Sequence, residues 1–278
     1  MSYKIIVDSC CELPEKYKKD PVFQIVPLGL EVGDYRIEDD ENFNQKEFLE
    51  KVAAYPHCPK SYCPSPEKYR EACRTEADEV YIITLSSHLS GSYNSAELGK
   101  ALYKEKYGDK KIHVIDSESA SCGETQIAMR ILEYKKRGYD FEETVKRIEK
   151  FRNNLKTYFV LDNLETLRKN GRLTGVKALV ASTLNIKPVM VGNHGVIQQK
   201  GQAIGMHKAL AKMADSLLAE VTNPEKRTLM ITHCNCPERA KYTKELMEKR
   251  ATFRKVVVMD TAGISSMYAN DGGIIMTL

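Results

Sequence analysis

The chain has 278 residues, 42% of them hydrophobic and 29% charged, with 42 Lys and Arg against 38 Asp and Glu. This composition excludes a disordered chain. The net charge of +4 is dispersed among both signs, and the chain has no Trp, so nucleic-acid binding finds no footing. The length suits two modest domains or one large α/β domain, with enough interior to fold without disulfides or metals.

The start, Met1–Lys4, runs straight into a strand-like segment and lacks the basic head and apolar run of a secretory signal. No stretch approaches the roughly 20 apolar residues of a membrane helix, so a cytoplasmic protein is expected. The eight cysteines include no C-x-x-C pair. His233, Cys234 and Cys236 offer part of a metal set, but their spacing is not that of a zinc finger. Reduced thiols are the expectation, with no metal and no cofactor.

Short apolar runs alternate with amphipathic stretches along the chain. Tyr3–Val7 reads as a buried strand closed by Asp8-Ser9, and Phe23–Leu30 as a second strand bent at Pro27. Gln45–Ala54 has helical period. Ser65-Pro66-Glu67 opens another helix, with Ser at the N-cap and Pro at the first helical position. Val80–Leu85 is a central strand, Ser92–Lys106 a helix, and Ile112–Ile115 a strand ending at Asp116-Ser117. The periods of Thr125–Arg137 and Phe141–Asn154 predict helices separated by Gly138. Alternating strands and helices imply a mostly parallel sheet covered on both faces.

The second half starts with strand Thr157–Leu161 and helices over Asn163–Lys169 and Val176–Leu184. Ile186–Val191 and Val196–Gln199 flank Gly192-Asn193-His194-Gly195, a hairpin signal. Met206–Val221 and Pro237–Lys249 are helical, whereas Leu229–His233, Val256–Met259 and Gly273–Met276 are strands. The fold class is therefore α/β, with a mostly parallel N-terminal sheet and a mixed C-terminal sheet. The polar stretch Arg152-Asn153-Asn154 suggests domains 1–154 and 155–278.

Ligands of open α/β sheets lie at the carboxyl ends of strands. Three such ends carry small polar residues: Asp8-Ser9, Ser86–Tyr93 and Asp116–Ser119. The loop Ser86–Tyr93 is the densest. It enters a helix N-terminus, where free N–H groups favour an anion, and Gly91 allows close backbone approach. Helix capping by Ser90 accounts for the same residues equally well. The lipase elbow, the P-loop, the dinucleotide fingerprint and H-E-x-x-H are all absent.

Five segments together resemble a known family. They are I-V-D-S at Ile6–Ser9, S-Y-C-P-S-P-E at Ser61–Glu67, S-S-H-L-S-G-S-Y-N-S-A at Ser86–Ala96, L-R-K-N-G-R-L at Leu167–Leu173 and I-K-P-V at Ile186–Val189. In this order they resemble the DegV family of bacterial fatty-acid-binding proteins. The resemblance spans essentially the whole chain. It implies two α/β domains with a long-chain fatty acid between them, the acyl tail in an apolar tunnel and the carboxylate held by hydroxyls near the surface. It further implies a carrier without catalysis of its own, whose partner is a fatty acid kinase that makes acyl phosphate for phospholipid synthesis.

Carried over residue by residue, Ser61 matches the family's Thr in T-S-x-P-S, and Ser90 the serine of S-G-T-Y. Ser92 replaces the following Thr with another hydroxyl, and Arg172 matches the arginine of G-G-R, with Asn170 in place of the first Gly. Ser90 is the first choice for the carboxylate and Ser61 its partner. Arg172 pairs with the carboxylate or an incoming phosphate, though a surface arginine near the helix end at Gly171 explains it comparably. Tyr268 stands where many members carry the His of H-T-G-P-G. It still donates a hydrogen bond but does not titrate like His. Two alternatives remain open: a small hydrolase using Ser90 with His88, and a regulatory binder of another small organic acid.

Overall fold

The computed structural model describes residues 2–173 and 185–278. The helix expected over Val176–Leu184 lies outside these residues.

Strands β1 (Tyr3–Asp8), β2 (Phe23–Val26), β6 (Glu79–Thr84) and β7 (Lys111–Asp116) form an all-parallel sheet in the order β2-β1-β6-β7. Alternation along β1 sends Ile5 and Val7 to one face and Ile6 to the other. Ile5 and Val7 pack with Ile127 and Ile131 of α5 (Cys122–Lys136) and Ile148 of α6 (Phe141–Asn153). Ile6 packs with Tyr69 of α3 (Pro66–Ala72) and Ala96 of α4 (Ser92–Tyr107). Both faces are thus covered, as the near-continuous apolar strands require.

The segment read as one strand over Phe23–Leu30 is two. Pro27 has no N–H to offer a ladder, and the chain leaves the parallel sheet there. It resumes as β3 (Gly29–Val32) in a separate antiparallel sheet, β4-β3-β5, with β4 (Tyr35–Glu38) and β5 (Lys60–Tyr62). The strands β4 and β5, of four and three residues, are too short for their pattern to announce a strand and depart from the sequence expectation. The first helices are α1 (Glu15–Lys18) and α2 (Gln45–Ala54), whose N-cap Asn44 accepts the N–H of Glu47 at 3.1 Å.

The second sheet is mixed. Its six strands are β8 (Thr157–Val160), β9 (Ile186–Asn193), β10 (Val196–Ile204), β11 (Thr228–His233), β12 (Lys255–Asp260) and β13 (Ile274–Thr277). They lie in the order β10-β9-β8-β13-β11-β12, and only β11 and β12 pair in parallel. The expected hairpin forms, turning at His194-Gly195, both at positive φ. One face packs on α8 (Met206–Ala219) and α9 (Pro237–Glu248) through Leu210, Met213, Leu217 and Met247. On the other face α5 packs against β11 and β13 while also touching β1 and β6, so this one helix lies between the two sheets. The remaining α-helices among the described residues are α7 (Glu165–Lys169) and α10 (Gly263–Ala269), the latter not expected from the sequence.

One ion pair is sealed within the first unit of structure. Lys135 of α5 lies 2.6 Å from Glu79 of β6, with the two side chains 6% and 0% exposed. Tyr81 also donates to Glu79, at 2.8 Å. Replacing one partner strands the other charge without water. Lys135→Met is therefore expected to lower the free energy of unfolding by about 3–5 kcal/mol. Chemical denaturation measures this, and a loss below about 1 kcal/mol, the level of an exposed pair, would show that Glu79 finds another partner.

Candidate functional site

Three hydroxyl or cationic side chains from distant segments meet at one place. Register in the small sheet sets Ser61 opposite Leu30. The Ser61 hydroxyl lies 2.9 Å from the Tyr268 hydroxyl, joining β5 to α10. The Arg172 guanidinium stands 5.8 Å from the centre of the Tyr268 ring, within cation–π range. Its Nε donates to the Leu89 carbonyl at 3.1 Å, and Nη1 donates to the Asn170 carbonyl at 2.5 Å. Arg172 thereby touches the loop that carries Ser90. A Cβ on Gly91 would come within 3.2 Å of Cys63 Sγ, so glycine lets this loop lie against the segment following Ser61.

Ser90 is half-buried, and its Oγ accepts the N–H of Ser92 at 3.2 Å. Capping and ligand binding are not exclusive here, because the Ser90 hydroxyl keeps its own proton to donate. Ser92 differs from what the resemblance implies. It is fully buried, donates to Asp8 Oδ2 at 2.7 Å and lies 2.6 Å from the Tyr69 hydroxyl. Its oxygen and proton are both spent inside the protein. Burial pushes the Tyr268 phenol up from its ordinary range, against the opposing pull of Ser61 and Arg172. Tyr268 is thus a neutral donor at physiological pH.

Tyr268 and Arg172 help line a cavity holding about 760 Å³ of atom-free space, part of it open to solvent. Its walls come from both sheets. Leu85, Leu89 and Cys10 face it from the parallel-sheet side, and Phe159, Leu161 and Ile275 from the mixed sheet. Phe159 and Leu161 share a face of the chain by the alternation of an extended strand. Burial among carboxylates pushes the Cys10 thiol well up, so it is a neutral part of the wall.

Behind this wall the loop after β1 carries buried acids. Asp8 accepts the N–H of Leu85 at 2.9 Å and of Cys10 at 3.1 Å, besides the Ser92 hydroxyl. Glu124 of α5 is fully buried, and neither of its oxygens accepts a hydrogen bond. Burial and the neighbouring Asp8 push it well above the carboxylate range, so it is the protonated partner that donates to Asp8. Glu12 accepts from Ser121 at 2.7 Å and from the N–H of Ala262 at 3.2 Å. Asp39 accepts the N–H of Gly263 at 2.7 Å and of Ile264 at 2.9 Å, capping the helix that carries Tyr268.

His88 is exposed, and among the described residues its ring makes no hydrogen bond to Ser90. The geometry does not pair Ser90 with His88. Cys234 and Cys236 turn toward the carbonyls of Ser266 and Gly273, and among the described residues no group of three or more ligating side chains is placed to hold a metal. No helix of the described residues is long and apolar enough to cross a membrane. Sequence reasoning marked Asp8 and Ser119 as polar strand ends but missed Glu12, Asp39 and Thr157. Nothing local in the sequence separates those from surface residues.

The sequence and the fold are similar to those of known proteins. The family described as "Uncharacterised protein, DegV family" matches residues 2–274. A DegV domain-containing protein of Streptococcus pneumoniae (strain ATCC BAA-255 / R6) is 33% identical over 286 residues, covering 99% of this chain and 98% of its own. A crystal structure of a DegV family protein from Ruminococcus gnavus ATCC 29149, refined with vaccenic acid, is 50% identical, with a TM-score of 0.98 and 100% of both chains covered. The Streptococcus pneumoniae Fatty Acid Kinase (Fak) B3 protein loaded with linoleic acid is 30% identical, with a TM-score of 0.89 over 100% of this chain and 99% of its own.

The buried acids give the protein a specific pH response. Burial raises Glu12 from 4.5 to about 7, more than its bonds to Ser265, Ser121 and Ala262 pull it down. The folded state then binds a proton more tightly than the unfolded state. Its contribution to stability is full below about pH 4.5 and is lost as pH rises through about 7. That shift corresponds to about 3 kcal/mol at most. Glu12→Gln keeps an acceptor for Ala262 without the charge. Its stability relative to wild type is expected to rise steadily from pH 5 to pH 8 in paired urea titrations. A constant difference across that range would remove Glu12 from the account.

Proposed function

Because the chain belongs to the DegV family, we propose that it binds a long-chain fatty acid in the cavity between the two sheets and presents the carboxylate to a fatty acid kinase. The observation that carries this reading is an apolar cavity lined in part by Tyr268 and Arg172, with Ser61 bonded to Tyr268 beside it. Each buried CH2 contributes roughly 0.8 kcal/mol, so the tail supplies affinity. A carboxylate buried without partners is costly, so the cluster fixes which end points outward. Ser90 and Ser61 donate through hydroxyls, Tyr268 through its neutral phenol, and Arg172 supplies charge to the carboxylate or to an arriving phosphoryl group. Ser92 is a positioning residue: with Asp8 and Tyr69 it holds the start of α4, and so the Ser90 loop, in place.

The likeness to the Fak B3 protein supports a kinase partner, with phosphoryl transfer performed by that partner and the acyl phosphate passed on to phospholipid synthesis. The chain divides near residue 154 into two α/β domains with the ligand between them. Eight cysteines, all free, fit a reducing cytoplasm.

Mass spectrometry of an organic extract of the denatured protein tests the reading. One long-chain fatty acid per chain is expected from wild type. Ser90→Ala and Tyr268→Phe each remove a donor to a charged group and are expected to weaken retention about 10-fold or more. An empty wild-type extract, with steady ester hydrolysis by the isolated chain, would overturn the carrier reading in favour of a hydrolase. Full retention by Ser90→Ala would remove that serine from the site.

A further inference from the structure

Away from the cavity, the C-terminal half of α5 forms the floor of a groove. Met129, Leu132, Glu133, Lys136 and Arg137 follow one another at helical spacing, so they share one face of that helix. Tyr17 of α1 closes one side, and Met230 of β11 with Val257 of β12 the other. The groove holds about 960 Å³ of atom-free space, part of it open to solvent. Its floor is apolar: Leu132 and Met230 are buried, and Met129 and Val257 half-buried. About 18 Å of helix axis separates Glu133 from Ser121, where α5 borders the cavity. None of the residues lining the groove also lines the cavity.

The rim of the groove is basic. Lys16, Lys136, Arg137, Arg254 and Lys255 stand around it, all exposed, and Glu133 is the one acid among the described residues that line it. Across Thr228 a smaller recess continues the groove, adding Arg130 and Arg227 and no acid. Seven cations thus face one carboxylate, a local charge of +6 in a chain whose net charge is +4. The charges that alternate in sign along the sequence gather their positive excess on this flank of the fold. Glu133 cannot neutralise it, because three arginines already share that carboxylate: Arg137 at 2.7 Å, and Arg130 and Arg254 at 3.1 Å each. Burial lowers the Arg130 guanidinium from its ordinary range, and Arg254 and Arg137 push the same way against the pull of Glu133. Lys136 and Lys255 make no ion pair among the described residues, and Lys16 lies over the Tyr17 ring, 4.5 Å from its centre.

We propose that this groove is a docking site for an acidic amphipathic helix of a partner protein. The proposal does not depend on what the cavity holds. Charge complementarity selects an anionic occupant, since cations gathered along a concave surface raise the local concentration of anions and steer their approach. The apolar floor selects among anions. A free polyanion satisfies the rim and leaves the floor uncovered, and a flat bilayer meets the rim without reaching the floor. A helix that lays its apolar face into the groove covers Met129, Leu132, Met230 and Val257, while acids on its flanks meet the lysines and arginines of the rim. The stripe from Met129 to Arg137 runs about 12 Å, some two turns of helix, which suits an occupant lying along it.

Fluorescence anisotropy of the full chain tests this with a labelled peptide of about 18 residues, alanine-rich, with leucines on one helical face and glutamates on its flanks. The comparators are a peptide of the same composition with its leucines scattered round the helix, polyglutamate, a single-stranded oligonucleotide and phosphatidylglycerol vesicles. The amphipathic peptide is expected to bind about 10-fold or more tighter than the scattered peptide or polyglutamate, and to weaken as salt rises. Lys136→Glu/Lys255→Glu reverses two charges without breaking an ion pair, and is expected to weaken the amphipathic peptide about 10-fold or more while fatty-acid retention stays as in wild type. Should that variant not fold, Lys136→Gln/Lys255→Gln takes its place, with a smaller loss in the same direction. Equal binding by wild type and the variant overturns the site, as does a wild type that binds no peptide. Equal binding of the scattered peptide or polyglutamate overturns the role of the apolar floor and with it the helix. Tighter binding of vesicles or oligonucleotide than of the amphipathic peptide overturns the protein partner in favour of a membrane or a nucleic acid.

Discussion

The carboxylate of Asp8 is the point on which the geometry of the site depends. It sits at the end of β1, fully buried, and accepts bonds from Leu85 at the end of β6 and from Ser92 at the start of α4. It thereby fixes how two strand ends and one helix start are arranged, and the Ser90 loop is what lies between them. Burial pushes Asp8 up, and only the donors around it, with Glu124 protonated beside it, keep the arrangement stable. A buried acid satisfied on several sides specifies one arrangement rather than many. Glu12, just after β1, reaches the start of α10, so the Ser90 loop and α10 are both tied to the end of β1 and the residues that follow it.

A division of labour follows from where polar groups sit. The middle of the cavity is apolar and offers area without direction, so by itself it sets neither the orientation nor the register of a chain. The polar groups that meet at Tyr268 come from different parts of the fold: Ser61 from the small sheet, Tyr268 from α10, and Arg172, which also binds the Ser90 loop. Because the cavity is walled by both sheets, α5 has two roles. It packs against strands of each sheet and so sets the spacing the ligand meets.

The elements legible in the sequence are those with strong periods. The parallel strands and the helices over Ser92–Tyr107, Phe141–Asn153 and Met206–Ala219 announce themselves because each buries a whole face. What escaped is short or paired at long range. Strand β5 has three residues, two of them exposed, and is a strand only because β3 lies beside it. Helix α10 is buried almost all round, so it shows no amphipathic stripe, and its capping acid Asp39 is over 200 residues away in the chain. The candidate site residues were reached through resemblance to ordered motifs. The fold gives them unlike surroundings: Ser61, Tyr268 and Arg172 converge, while Ser92 turns inward onto Asp8.

Tyrosine at position 268 changes how the site responds to pH. A histidine there would gain charge between pH 5 and 8 and alter its hold on an anion directly. The phenol stays neutral across that range, and burial raises it further. Titration near neutrality shifts instead to the acids behind it. Asp39, which caps α10, is raised to about 6, and Glu12, which binds Ala262 just before α10, to about 7. Ionised, they favour the positive end of the helix dipole and hold its first N–H groups, but at the cost of desolvating a charge. Protonated, they lose part of that grip. The acids raised toward neutrality thus lie at the base of the helix, while Tyr268 near its far end keeps one chemical form.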